Sequence, residues 1–145
     1  MLDMKDIKYM LRGVSISQFA TPFEPSSNDF VVNVNIPIKT NYKEHSIAVG
    51  ANVQFVEAGR VFMIAEAFCH YLVEPGCWDD LSEKDSKDVV LPKGFINSLA
   101  AIAVSTVRGV LCAKTENTPF ARYYLPLIMV DPNQGADLKI LKPID

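Results

Sequence analysis

The side chains most able to do chemistry in this chain are few: His45 and His70, the thiols Cys69, Cys77 and Cys112, and the acidic run Asp79, Asp80, Glu83 and Asp85. Cys69 and His70 are adjacent, so on a strand they face opposite sides and cannot ligate one metal. A structural zinc needs four converging ligands, and no segment offers their spacing. His70 reads instead as a surface or hydrogen-bonded histidine. Pairing Cys112 with His70 as nucleophile and base fails for a different reason. No third group orients the base, and Cys112 falls near the C-terminal end of an expected helix, where nothing lowers a thiol's pKa. "DDLSEKDSKD" alternates acids with lysines, as a solvated loop does. GxGxxG, P-loop and GxSxG signatures are absent from the sequence. The expectation is a protein that is not an enzyme and uses no cofactor or metal.

The totals narrow the partners. At 145 residues and 16.1 kDa the chain suits one domain, 1–145, with residues 132–145 as a tail. A net charge of −3 and a pI near 5.3 leave no basic stripe for nucleic acid and little attraction to anionic membranes. "MLDMKDIKYM" has no apolar h-region, so no signal peptide is expected, and no run suggests the roughly 20 apolar residues of a membrane span. Three cysteines without a CxxC suit a reducing compartment, so the expected location is cytoplasmic. A hydrophobic fraction of 49% means that the core is rich or that apolar surface is kept for partners.

These side chains must be carried by elements that periodicity identifies. Over residues 7–19, Ile7, Tyr9 and Leu11 lie on one face and Val14 and Ile16 on the other, with Gly13 at the switch, which predicts a bulge or bend. "TPFEPSSNDF" is a loop. Phe30, Val32, Val34, Ile36 and Ile38 share one face of a second strand, and Pro37 predicts an edge position or a strand end. Ile47, Val49, Ala51, Val53 and Phe55 repeat the alternation, and "EAGR" turns into a fourth strand over 61–73 that reads as central and covered on both sides. Residues 74–90 read as a long polar loop. Over 92–113 the period becomes helical, with Phe95, Leu99, Ile102, Val107, Val110 and Leu111 apolar and Gly109 placed for packing or for a bend. "ARYYLPLIMV" is strand-like, and the tail has room for one more strand. The class is α+β: a four-stranded antiparallel meander with a bulged first strand, followed by a long helix packed on it.

The order of four strands, long loop and long helix, followed by "STVRGVLCAKTENTPFARYYLPLI", resembles the SecB and SecB-like family of protein-export chaperones over residues 7–131. Arg108-Gly109 matches the family's Arg-Gly at its first helix, Leu125-Pro126 its following apolar segment, and "MIAEAF" its fourth strand with Glu66 in an acidic position. The resemblance implies a cytoplasmic holdase for unfolded or export-destined polypeptides, assembled as a dimer of dimers. It further implies that Ile64 and Glu66 face a translocase motor. The family's acidic pair in the first strand is replaced by Ile16 and Ala20, and its second helix is missing, so docking on the motor is the weakest element of that implication.

Phe19, Phe23, Trp78, Phe120 and Tyr124 are not required by any alternation, and they are the expected lining of an apolar client groove beside the helix. Trp78, in what reads as a polar loop, either anchors that loop or meets a client. Tyr123 and Tyr124 alternate, so at most one of them faces the groove. Glu66 is either exposed or paired with Arg60 or Arg108. Two alternatives remain. One is a small-ligand, thioesterase-like enzyme on a helix-wrapped sheet, which would place its helix between early strands and an acid near the helix start. The other is a SecB-like partner dedicated to an antitoxin.

Overall fold

Strands form where apolar side chains recur at every second residue. In the computed structural model of the chain, which describes residues 6–127 and 134–144, five such segments build one antiparallel sheet. They are β1 (Tyr9–Ala20), β2 (Val31–Asn35), β3 (Ile38–Asn41), β4 (Ser46–Glu57) and β5 (Arg60–Val73). The order is β1-β5-β4-β2, and β3 lies beyond β2 along the same edge of β4. Ile36 and Pro37 separate β2 from β3. Pro37 has no N–H to donate, but its carbonyl accepts from the Gly50 amide at 2.9 Å, so register continues across the break. Ala58 and Gly59 both take positive φ (50° and 78°), as the tight β4–β5 hairpin requires.

The expected meander holds for the three hairpin-linked segments. β1 departs from it: it pairs with β5 at the far edge, which makes the order that of a Greek key. The connection over 21–30 is long enough to cross, and Glu57 fixes it there. Its carboxylate accepts from the Ser27 amide (2.8 Å) and hydroxyl (2.9 Å) and from the Ser26 amide (3.2 Å).

β1 carries two bulges. Register skips between Leu11 and Gly13, leaving Arg12 extra, and again between Ile16 and Gln18, leaving Ser17 extra. The first is the irregularity that the parity change at Gly13 predicts. The second compensates another parity change, from Ile16 to Phe19. Through both, Tyr9, Leu11, Val14, Ile16 and Phe19 stand opposite Val73, Tyr71, Cys69, Ala67 and Ala65, all on one face of the sheet.

That face is covered by α2 (Lys93–Thr115), which packs on β4 and β5. Its buried stripe recurs every four residues through Phe95, Leu99, Ala103, Val107, Leu111 and Thr115, with Ile96, Ala100 and Val104 beside it. Small residues on both sides, Ala100 and Ala103 above and Ala51, Ala65 and Ala67 below, let helix and sheet approach closely. Two expected core residues fall outside the stripe: Ile102 is 43% exposed and Val110 is half-buried. α2 is long and apolar enough to cross a membrane by length and composition, and 44% of that window is buried within the fold.

Residues 74–90 are a loop only in part, since turns and irregular backbone occupy 81–88. They also form α1 (Pro75–Asp80) and lead into β6 (Val89–Leu91), which pairs with β7 (Leu138–Ile140), the further strand that the tail had room for. Cys77, Trp78, Leu81, Val89 and Leu91 are all buried. The six acids of this stretch mask the fact that its apolar residues close one end of the core. Past α2, residues 119–122 form a single 3-10 turn, capped by the Thr118 hydroxyl accepting from the Phe120 amide at 3.1 Å. The strand expected over 121–130 does not form up to residue 127, and its remainder lies outside the described residues.

On the sheet face away from α2, Gly50 is required by close approach. A Cβ there would stand 2.8 Å from the Ala67 carbonyl and 2.8 Å from the Phe68 ring. Gly50→Ala is expected to destabilise the fold by about 1–3 kcal/mol through this overpacking, read as a lower denaturation midpoint at unchanged m-value.

Candidate functional site

The sheet has two faces with different chemistry, and the sequence-predicted residues divide between them. On the helix side, Phe19, Phe23 and Phe120 are each half-buried, and Tyr124 is 74% exposed. Phe23 packs on Phe62 at 6.2 Å, under the Arg60 guanidinium at 4.1 Å. Phe62 meets Tyr123 at 5.0 Å, and Phe30 meets both. Tyr123 is buried and Tyr124 exposed, in agreement with the expected alternation. Phe19 lies opposite Ala65, near the same end of β5. Four of the five expected groove residues therefore gather at one end of the sheet, where α2 exits.

Trp78 does not join them. It is 1% exposed, stacked on His45 at 5.0 Å and edge-on to Tyr42 at 5.7 Å, beside the β3–β4 turn. That turn and Phe62 lie at opposite ends of β5, roughly 35 Å apart at strand rise. Of the two readings of Trp78, anchoring is the one observed. Its indole N–H has no partner among the described residues, which is a cost accepted for burying the ring.

Arg108 and Gly109 explain the exit. Arg108 donates from Nε to the Leu125 carbonyl (3.2 Å) and from Nη2 to the Pro126 carbonyl (2.9 Å), holding residues 125–126 along the helix. Gly109 lies inside continuous helix, and a Cβ there would meet nothing within 4 Å, so neither packing nor a bend requires it. Its missing side chain opens a shallow hollow of about 460 Å³ lined by Cys112, Ala113, Glu116, Asn117 and Ala121. Asn117 takes φ 62°, ending the helix there.

The helix side also holds apolar surface that the sequence did not reveal as exposed. Tyr9, Leu11, Val14 and Ile16 are 43–53% exposed on the α2 face of β1, and Ile102 of α2 is similarly open. Tyr9 touches Phe95 at 5.0 Å and Tyr71 at 5.7 Å.

Ile64 and Glu66 share the opposite face, as expected, and both are half-exposed. β5 is therefore central but covered on one side only. Glu66 pairs with neither arginine: Arg60 lies over Phe23, and Arg108 holds the 125–126 carbonyls. Its carboxylate accepts instead from the Ser17 hydroxyl (2.7 Å) and the Asn52 amide (2.9 Å). The second bulge places Ser17 there. His70 lies on this face too, bonded through Nε2 to the Ser15 hydroxyl at 2.7 Å. Cys112 is on the far side of the sheet, and the two do not meet. Cys69 and Cys77 are buried thiols and Cys112 is exposed. Among the described residues no three His, Cys, Asp or Glu side chains cluster as metal ligands would.

No family model matches the chain, and no curated protein does. Among solved structures it is similar to a protein of unknown function from Streptococcus agalactiae. The two are 14% identical, with a TM-score of 0.40 over 85% of this chain and 98% of that one.

Ser17, then Asn52, and more weakly the Lys39 charge hold the Glu66 carboxyl below its ordinary value of 4.5, against the opposing effect of burial. A lowered folded-state pKa contributes stability above the unfolded value, and that stability is lost as pH falls through the folded value. Ser17→Ala is expected to raise the Glu66 pKa toward 4.5, followed by NMR of its side-chain carbon. Glu66→Gln should flatten the loss of melting temperature below that pH.

Proposed function

We propose that this protein is a SecB-like holdase, a non-enzymatic chaperone that acts as a homo-oligomer on unfolded or export-destined polypeptides. The observation that carries the reading is the apolar surface left open on the α2 side of the sheet. Five large side chains (Tyr9, Leu11, Val14, Ile16 and Ile102) are 43–53% exposed there within one domain, four of them along a single edge strand. We assign that strip to a second copy of the chain. β1 is a sheet edge whose outer side pairs with no strand among the described residues, and a two-fold axis beside it would bring one strip onto its own copy, as closed symmetry requires.

Clients are assigned to the exit end of α2. Phe19, Phe23, Phe120 and Tyr124 form this set, with the Gly109 hollow lined separately by Cys112, Ala113, Glu116, Asn117 and Ala121 on the same end of the helix, and Trp78 is withdrawn from it. Half-buried aromatics on a loop, a strand end and a turn give adaptable apolar contacts without a fixed pocket, and repetition across subunits would add avidity. Ile64 and Glu66 remain the surface we assign to a translocase-type partner. A client restricted to an antitoxin would use the same end. The enzyme alternative gains no support from element order, since α2 follows every strand of the main sheet.

Two experiments separate these assignments. Val14→Asp with Ile16→Asp should dissociate the oligomer in sedimentation velocity at micromolar concentration; a parent that already sediments as a monomer overturns the assembly. Phe120→Ser with Tyr124→Ser should leave the oligomer intact, with suppression of aggregation of a reduced, unfolded protein reduced severalfold. Full retention of suppression would remove the client site from this end.

A further inference from the structure

The face of the sheet away from α2 holds an open cavity of about 650 Å³, in the size range of small-molecule sites. Its origin can be read from β4. The residues of β4 that face this side begin Ser46, Ala48 and Gly50, all small, and the Phe68 ring lies over Gly50. What remains is a hollow floored by Ser46, Ala48, His70 and Leu72, with β1 on one side and β3 on the other.

The walls are cationic. Arg12, the extra residue of the first β1 bulge, lines one side, and Lys39 of β3 lines the other, with the Lys39 ammonium 4.3 Å from the Phe68 ring centroid. Among the described residues neither Arg12 nor Lys39 makes a salt bridge, in a chain of net charge −3. Glu44 is the one acid in the lining. Nearby Glu66 is already bonded to Ser17 and Asn52. Thr40, Asn41 and Ser46 add neutral donors, and His70 keeps Nδ1 free of the Ser15 bond made by Nε2. Two cations on facing walls, set against Glu44 alone in the lining and the Glu66 charge beyond it, leave the hollow more cationic than the chain as a whole, while Ala48 and Leu72 supply an apolar floor.

We infer that this cavity binds a small organic anion, with a carboxylate or phosphate group between Arg12 and Lys39 and an apolar body over Ala48 and Leu72. The site lies on the opposite sheet face from the client surface proposed above and stands independently of it.

Calorimetric titration of the full chain, with citrate in one arm and inorganic phosphate in the other, at constant ionic strength set with sodium chloride, tests the inference. Saturable one-to-one binding is expected, and the arm that binds identifies the anionic group. Arg12→Gln and Lys39→Gln should each weaken binding by about tenfold or more, as loss of a hydrogen bond to a charged group does. Ser46→Leu, which keeps both cations but fills the hollow, should abolish it, and Lys114→Gln on the last turn of α2 should leave it unchanged. Circular dichroism confirms that each variant is folded. Absence of saturable binding in both arms overturns the site, as does equal weakening by Lys114→Gln or parental affinity in both Arg12→Gln and Lys39→Gln.

Discussion

An α-helix with its side chains is about 10–12 Å across, whereas four strands at about 4.8 Å spacing span roughly 15–20 Å. One helix therefore cannot cover this sheet, and the rest of the structure follows from which strands it covers. α2 lies on β4 and β5, whose helix-facing side chains from Ile47 to Phe55 and Met63 to Val73 are almost fully buried. The β2 side is closed by other means, since Phe30, Phe62 and Tyr123 stack edge-on into an aromatic wedge under the 3-10 turn. Nothing among the described residues does the same for β1. Its apolar side chains remain in the open, touched chiefly through Tyr9 on Phe95.

The two bulges of β1 sharpen that asymmetry. Side-chain parity reverses with each single-residue shift, so a regular β1 aligned at Tyr9 would have turned Val14 and Ile16 to the other face. With Arg12 and Ser17 extra, the apolar residues stay together on the α2 side, and polar groups serve the other face, where Ser17 holds Glu66 and Arg12 lines the cavity. Bulges also interrupt the hydrogen-bonding pattern of an edge strand, which limits indiscriminate pairing with other chains.

Legibility in the sequence tracked the length and regularity of each signal. Val32 to Ile38 and Ile47 to Phe55 alternate without interruption, and both took the expected face, with Pro37 marking a strand end. The α+β class followed from the change of period near residue 92. Strand order did not, because alternation says which face a residue takes and nothing about which neighbour it pairs with. The fate of Trp78 was hidden for another reason: α1 is a six-residue helix, too short to display a period, amid acids that dominate its composition. Ile102 lies three residues after Leu99, a spacing that predicts core, yet the buried stripe advances by four. For Phe19 a signal was present, since its spacing of three from Ile16 is a second parity change like that at Gly13.

The polar residues of the candidate sites were the least legible, because each draws its meaning from a partner distant in sequence. Glu66 depends on Ser17 and Asn52, His70 on Ser15, and Arg108 on the carbonyls of Leu125 and Pro126. A lone carboxylate in an apolar strand signals that it must be solvated or partnered, without saying by what. The Arg-Gly pair in α2 shows how two neighbours can divide such work. The arginine satisfies backbone carbonyls that would otherwise turn outward and so fixes the path of the chain after the helix. The glycine, one residue on and free of any packing demand, keeps the helix surface low beside that path. Fixing the exit segment seats Tyr123 on Phe30 and Phe62 at the core and leaves the next residue, Tyr124, exposed.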